Sequence, residues 1–457
     1  MDNLTPKQRR QKAAQQRRTH NVMLAGIFLL ILLVFAIINL CTKTQDFSEF
    51  ENRSLAKMPA FSLSTLADGS YFSGITDAFN DQFFARDGWI SMKLREDSFL
   101  GRKESGGVYL CDSGYLIAAP ETPNEEALQN TALAIQQFSA KYPDVSMQTL
   151  LIPGASAILK EHLPKNAPVR DQLQDIANAT ELIGPCVQHI DVSENLAAHA
   201  AEYIYYKTDH HWTSLGARYA FESAGGALGV QNAVTYDIYT VTTDFEGTLA
   251  SKSGSHQQLD SIQIYAPQDD SLEYYVNYFD GQEAVCSMFQ SACLEVKDKY
   301  TVFFGGNHPM LEVHTTANTD RSILIFKDSY ANSFIQFLVP YYDNIILIDP
   351  RYYYDNVELI MNNSRITDVL FLYSADTFLT DTALADVLNS SSAQPQEDKA
   401  TAPEPSAAPS TAPSPSPSAL PDSALEDGTD TTSGGNLAPP EPETSAPAQD
   451  GLDTLEP

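Results

Sequence analysis

An unbroken apolar run restricts this chain more than any other feature: Val22 to Cys41 contains Asn39 as its one strongly polar residue. At about 1.5 Å per helical residue, these positions span roughly 30 Å, the hydrocarbon thickness of a bilayer. Ahead of the run, Lys7, Arg9, Arg10, Lys12, Arg17 and Arg18 face a single acid, Asp2. A secretory signal has a shorter apolar stretch, about 7 to 15 residues, closed by small residues. Ile38-Asn39-Leu40-Cys41 offers no such site, and bulky Leu40 argues against a lipidated Cys41. The reading is an uncleaved transmembrane anchor over 22–41 behind a basic tip over 1–21. Lys and Arg beside a span stay cytoplasmic, so everything past residue 42 is expected outside the cytoplasm.

The net charge is −31, and six bases against one acid give the tip about +5, so the remainder carries about −36. So acidic a surface repels polyanions and excludes nucleic acid as a partner. The five cysteines (41, 111, 186, 286, 293) are too sparse for a disulfide framework; Cys286 and Cys293 are near enough in sequence for a local pair, and no CxxC or Cys/His metal spacing occurs. Residues 389–457 are Pro, Ser, Ala, Thr and acid, too poor in aliphatic side chains to offset ordering entropy, and read as a disordered tail. An extracytoplasmic domain over 45–388 remains.

Within it, short apolar runs alternate with helical periodicity. Met147–Ile152, Val187–Val192, Ser322–Phe326, Asn344–Asp349 and Asp368–Tyr373 read as buried strands; Asn124–Tyr142, Asp171–Ile183, Thr213–Leu228 and Ala331–Leu338 read as helices. That alternation predicts an α/β fold, a mostly parallel sheet flanked by helices. Residues 235–318 lack helical spacing and are rich in Thr, Val, Tyr and Gly, which predicts a β-rich insertion.

Ligands of such sheets bind beyond the carboxyl ends of the strands. Ser329 follows the Ser322–Phe326 strand, and a serine on a strand-to-helix turn has its hydroxyl and nearby N–H groups facing one space, as a nucleophile with part of an oxyanion hole requires. A nucleophilic serine needs an imidazole beside it and a carboxylate holding that imidazole, and Asp209-x-His211 offers both ahead of a helix capped by Thr213. The competing reading is structural: Asp328 or Ser329 caps a helix, and Asp209-His210-His211-Trp212 is buried polar packing. A third reading makes Asp209, His210 and His211 metal ligands with His189 and Asp191, although adjacent histidines seldom share an ion. No metal and no cofactor is therefore expected.

The segment Tyr206-Lys207-Thr208-Asp209-His210-His211-Trp212-Thr213 resembles the signature of the DHHW protein family of Gram-positive bacteria. So do Glu51-Asn52-Arg53-Ser54-Leu55, Asp81-Gln82-Phe83-Phe84-Ala85-Arg86-Asp87, Gly305-Gly306-Asn307-His308, Lys327-Asp328-Ser329-Tyr330-Ala331-Asn332-Ser333 and Asp349-Pro350-Arg351-Tyr352-Tyr353. The resemblance covers about residues 48–388. That family is similar to the SGNH-hydrolase-like (flavodoxin-like) domains of alginate O-acetyltransferases, in which an Asp-x-His-Trp motif precedes Gly-Asp-Ser. By motif, the resemblance implies Asp209 as orienting acid, His211 as base and Ser329 as nucleophile, with Lys327 departing from the usual Gly. Gly306 and Asn307 are oxyanion candidates by residue type, and a Gly-Asn turn is their plainer reading. His210, Trp212 and Lys327 are candidates for substrate contact, and Trp212, Tyr352 and Tyr353 suit stacking on sugar rings. The resemblance also implies a polysaccharide or cell-wall glycan as substrate and a membrane-bound O-acyltransferase as partner. Against this enzyme reading stand a glycan-binding module in which Lys327 marks lost catalysis, and a structural envelope protein.

Overall fold

The computed structural model describes residues 5–230, 234–269, 271–281 and 284–390. The tail expected from 389 onward therefore lies, past Ser390, outside the described residues. The apolar run is the later part of helix α1 (Pro6–Cys41), whose most apolar stretch has a mean hydropathy of 2.9 and no burial. Among the described residues this one helix is long and apolar enough to cross a membrane. Two further helices, α2 (Ser70–Asp81) and α3 (Arg86–Phe99), follow it in sequence.

Seven strands form the central sheet: β1 (Ser146–Ile152), β2 (Gln188–His189), β3 (Tyr274–Tyr278), β4 (Met310–Thr315), β5 (Ser322–Lys327), β6 (Asn344–Ile348) and β7 (Asp368–Ser374). Their order is β3-β4-β6-β5-β7-β1-β2. From β6 to β2 all neighbours run parallel, whereas β4 is antiparallel to both β6 and β3. The fold is thus α/β with a mixed, mostly parallel sheet. β5, β6 and β7 read as continuous apolar runs because both of their faces are covered. Ile323, Ile325, Ile345, Leu347, Leu370 and Leu372 pack toward helix α6 (Ser214–Ala224) and the turns after β5. Their alternates Leu324, Phe326, Ile346, Ile348, Val369 and Phe371 pack with Phe138 of α4 (Glu125–Lys141) and Ile176 of α5 (Gln172–Ile183). The period of two assigns neighbouring side chains to opposite cores.

Two expectations need correcting. Residues 235–318 do not stand apart from the sheet: they supply β3 and β4, and Val276, Leu311 and Val313 lie in the main core. The hairpin of Tyr236–Phe245 with Asp260–Pro267, helix α7 (Thr248–Ser253) between its strands, and the 3₁₀ turns Ser291–Glu295 and Lys299–Val302 lie outside that sheet. The helix expected at Ala331–Leu338 is instead a series of 3₁₀ turns, Ser329–Ser333, Ile335–Phe337 and Val339–Tyr341. Pro340, at the start of the last turn, has no N–H to donate and sets where the series ends. All five cysteines are free thiols.

Phe326 stacks on Phe371 at 5.3 Å and meets Phe138 edge-on at 5.9 Å. Phe326→Ala is expected to cost about 3–5 kcal/mol, read as a lower midpoint in chemical denaturation. A midpoint equal to that of the parent would mean that these rings are not close-packed.

Candidate active site

Strand β5 ends at Lys327 and delivers Asp328 and Ser329 to its carboxyl end. Asp328 takes the capping role itself, accepting from the N–H of Tyr330 at 3.0 Å. Its other carboxylate oxygen accepts from the N–H and hydroxyl of Ser374, at 3.0 and 2.6 Å. β5 and β7 are thereby tied together at their ends, and the hydroxyl of Ser329 is left for another partner.

That partner arrives on a tight turn. Tyr206 N–H donates to the His211 carbonyl at 3.2 Å and Thr213 N–H to the Ile204 carbonyl at 2.9 Å. Asp260, from the hairpin, accepts from the N–H groups of Lys207 and Thr208 at 2.8 and 2.7 Å. The turn so held brings His211 Nε2 to 2.8 Å from Ser329 Oγ, across 118 positions of sequence. His211 Nδ1 lies 2.6 Å from Asp209 Oδ1, which also accepts from the His211 N–H at 3.0 Å. The second oxygen of Asp209 accepts from Thr248, N–H at 2.8 Å and hydroxyl at 2.9 Å, at the start of α7.

The electrostatics follow from burial. Burial pushes the Asp209 carboxyl upward, but His210, His211 and the Thr248 N–H more than offset it and hold the group well below the usual carboxylate range. Burial, with His210 adding to it and Asp209 opposing, holds His211 below the ordinary imidazole range, hence neutral at pH 7. A neutral imidazole whose Nδ1 faces a carboxylate carries its proton there, which leaves Nε2 as the acceptor facing the Ser329 hydroxyl.

Two buried tyrosines complete the surroundings. The Tyr300 ring stacks on His211 at 3.9 Å and 12°, and its hydroxyl donates to the Ser329 carbonyl at 3.1 Å. The Tyr330 hydroxyl donates to the His210 carbonyl. A cavity of about 160 Å³ opens on Ser329, with Gly154, Ser156, His210, Leu249, Arg351 and Asp376 among its lining residues.

The sequence of the DHHW protein family matches residues 51–131 and 144–348. This chain belongs to the DHHW family. A DHHW family protein from Eubacterium siraeum is similar in structure, at 26% identity and a TM-score of 0.51, over 62% of this chain and 95% of that one. PatB1 of Bacillus cereus, solved with a sulfonyl adduct, shares the fold at 20% identity and a TM-score of 0.51, over 60% of this chain and 97% of its own. The O-acetyltransferase domain of Pseudomonas putida AlgJ is a weaker likeness, 14% identical with a TM-score of 0.39, over 62% of this chain and 99% of that domain. Among curated protein sequences there is no match.

The four residues that name the DHHW family occupy different environments. Asp209 and His211 belong to the hydrogen-bonded chain, and His210 lines the cavity with its Nδ1 2.8 Å from the Thr248 hydroxyl. Trp212 is no surface for a sugar: it is wholly buried, donates from Nε1 to the Tyr330 carbonyl at 3.0 Å and stacks on Phe334. Tyr353 is buried as well, whereas Tyr352 is exposed. Gly306 and Asn307 do not line the cavity, and the Asn307 side-chain oxygen faces the Lys327 amine and the Asn332 amide, each at 3.3 Å. Lys327 is buried and outside the lining too. Burial pushes its amine down to about 8 against the pull of Asp349, and it donates to Asn332 Oδ1 at 2.8 Å.

Ligand atoms of Asp209, His210 and His211 lie within 4.8 Å of one another, but the hydrogen bonds above already engage both carboxylate oxygens of Asp209 and both ring nitrogens of His211. His189 faces Thr149 on the β1–β2 edge instead. Sequence reasoning missed Tyr300, Thr248 and Asp260, which carry no motif of their own. Gly247 was also unmarked, yet a Cβ there would sit 2.3 Å from the Asp209 Cβ. Gly247→Ala is expected to displace the carboxylate and remove the far-downfield NMR proton of the Asp209–His211 hydrogen bond, with the far-UV dichroism unchanged. A retained resonance would show that the site tolerates the extra methyl group.

Proposed function

We propose that this DHHW protein is a membrane-anchored extracellular O-acetyltransferase or acetylesterase that acts on a cell-envelope or secreted polysaccharide. The observation that carries the reading is the continuous hydrogen-bonded chain from Asp209 through His211 to Ser329, opening on a cavity. In the proposed reaction His211 Nε2 takes the Ser329 proton as Oγ bonds to the acyl carbonyl carbon. The Asp209 carboxylate stabilises the imidazolium that forms. His211 then returns the proton to the departing oxygen, which leaves an acyl ester on Ser329. A sugar hydroxyl, or water, attacks that ester by the same steps in reverse.

The oxyanion donors proposed here are the N–H of Ser329 and the N–H groups of Ala155 and Ser156, which line the cavity beside Gly154, whose own N–H is given to Gln172 at 2.7 Å. They replace Gly306 and Asn307, which lie outside it. Lys327 is buried and bonded away from the cavity, so nothing about it obstructs Ser329, and the glycan-binding alternative gains no support from it. The N-terminal helix, with its six basic residues ahead of the apolar run, supports an anchor with its tip in the cytoplasm. The proposed partner, a membrane-bound O-acyltransferase, supplies the acyl group.

Exposure of the chain to an activated acetyl ester is expected to add one acetyl to Ser329, or to give turnover, by intact-mass and product measurements. Ser329→Ala should abolish both, and His211→Ala should lower the rate by about 10²–10⁴-fold. A folded chain that neither acquires an adduct nor turns over the ester would remove the enzyme reading. The pH dependence has a defined sign. Burial disfavours protonated His211, so the base is lost only as pH falls below the ordinary imidazole value of about 6.5. The acid limb of kcat/KM should therefore lie below the ordinary imidazole value, toward about 4, and a limb near 7 would contradict the assignment.

A further inference from the structure

Residues 58–100 present an apolar surface that the proposed chemistry does not use. Phe72 and Phe79, seven apart on α2, are 61% and 57% exposed, and Trp89, Met92 and Phe99 on α3 are 41%, 54% and 90% exposed. Helix α3 buries none of its residues. So many large apolar side chains on one short segment of a water-facing domain mark a contact surface.

The segment is joined to the membrane helix. The Phe84 N–H donates to the Asn39 side-chain oxygen at 2.8 Å, and the Trp89 ring lies 6.2 Å from Phe35. Phe35 precedes Cys41 by six residues, which at about 1.5 Å each is roughly 9 Å inside the end of the apolar run. Interfacial helices bury their apolar faces to about 5–10 Å, and tryptophan prefers that boundary because its ring is apolar and its N–H is not. The Trp89 Nε1–H is satisfied locally, donating to the Phe84 carbonyl at 3.1 Å. Several of the charges nearby are paired: Arg53 with Asp81, Arg86 with Glu51, Lys93 with Asp97. Residues 58–100 hold six acids against three bases, so attraction to anionic lipid is not what would seat them.

We propose that residues 58–100 form an interfacial membrane element, its Phe, Met and Trp side chains lying in the outer boundary of the same bilayer that α1 crosses. The occupant of the apolar face is lipid, held by the hydrophobic effect. This rests on the reading of α1 as an anchor and goes beyond it, since an anchor alone leaves the domain free to tumble above the surface.

The chain contains two tryptophans, and Trp212 is wholly buried, so Trp89 is a natural depth probe. The full chain is reconstituted in phosphatidylcholine vesicles brominated near the top of the acyl chain, and its flotation with the vesicles is checked first. Loss of flotation would strike down the anchor reading, and the proposal with it. In a floating chain, bromolipid is expected to quench a component of the fluorescence that Trp89→Phe removes, equally at low and high salt. The double variant Phe72→Asp, Phe79→Asp should keep flotation and lose the quenching several-fold. A floating chain whose Trp89 is unquenched overturns the proposal. So does a face that becomes shielded only when a second membrane protein is present, which would assign it to that protein.

Discussion

A carboxylate withdrawn from water must have its charge answered within hydrogen-bonding distance, and Asp209 is the place where this chain meets that demand. Its two oxygens take four hydrogen bonds, two from His211 and two from Thr248. Meeting them fixes the turn 206–213 against the start of α7, and it leaves no room for a side chain at position 247. The imidazole oriented in this way reaches Ser329, whose own position is set by the hold of Asp328 on Ser374 across two strand ends. One buried charge therefore organises the turn, the hairpin region that supplies α7, and the carboxyl end of β5. Asp260 does the same on a smaller scale for the backbone of Lys207 and Thr208.

Much of this was legible in the sequence because the central strands are covered on both faces. Continuous apolar runs located β1, β5, β6 and β7 to within a residue or two, and the rule about carboxyl strand ends led to Ser329. The Asp-x-His pairing was legible because both residues lie on one short turn. Val187–Val192 was read as a full strand but pairs only over Gln188–His189, at the sheet edge. The strand content of 235–318 was legible, but not that two of its strands extend the central sheet, because nothing local in an antiparallel strand names its partner. Tyr300, Thr248 and Asp260 were invisible for a simpler reason. Each is a common residue type whose role comes from long-range proximity, and nothing local distinguishes it. Trp212 was misjudged because an aromatic residue next to catalytic-type groups packs into a core as readily as it faces a ligand.

Helix α7 links the two ends of the molecule's organisation. Its first residue holds Asp209, and just past its last residue Gly254, at φ +76°, lies so close to Ile90 of α3 that a Cβ there would fall 2.9 Å from the Ile90 methyl. The segment that contacts α1 is thus packed, through one short helix, against the support of the acid. Glu51, Arg53, Asp81 and Arg86, all within the first stretch matched to the family, form ion pairs with one another across this segment.

The stacking of Tyr300 on His211 carries a consequence for how such a site changes over evolutionary time. With one face of the imidazole covered by a parallel ring and that ring's hydroxyl hooked to the Ser329 carbonyl, His211 and Ser329 share a single brace. The entropy of orienting them is lost at folding, before any ligand arrives. Adaptation then has little freedom at His211 and Ser329. It is channelled to the side chains of the cavity rim, such as Leu249, Ala118 and Thr377, which touch the opening without belonging to the brace.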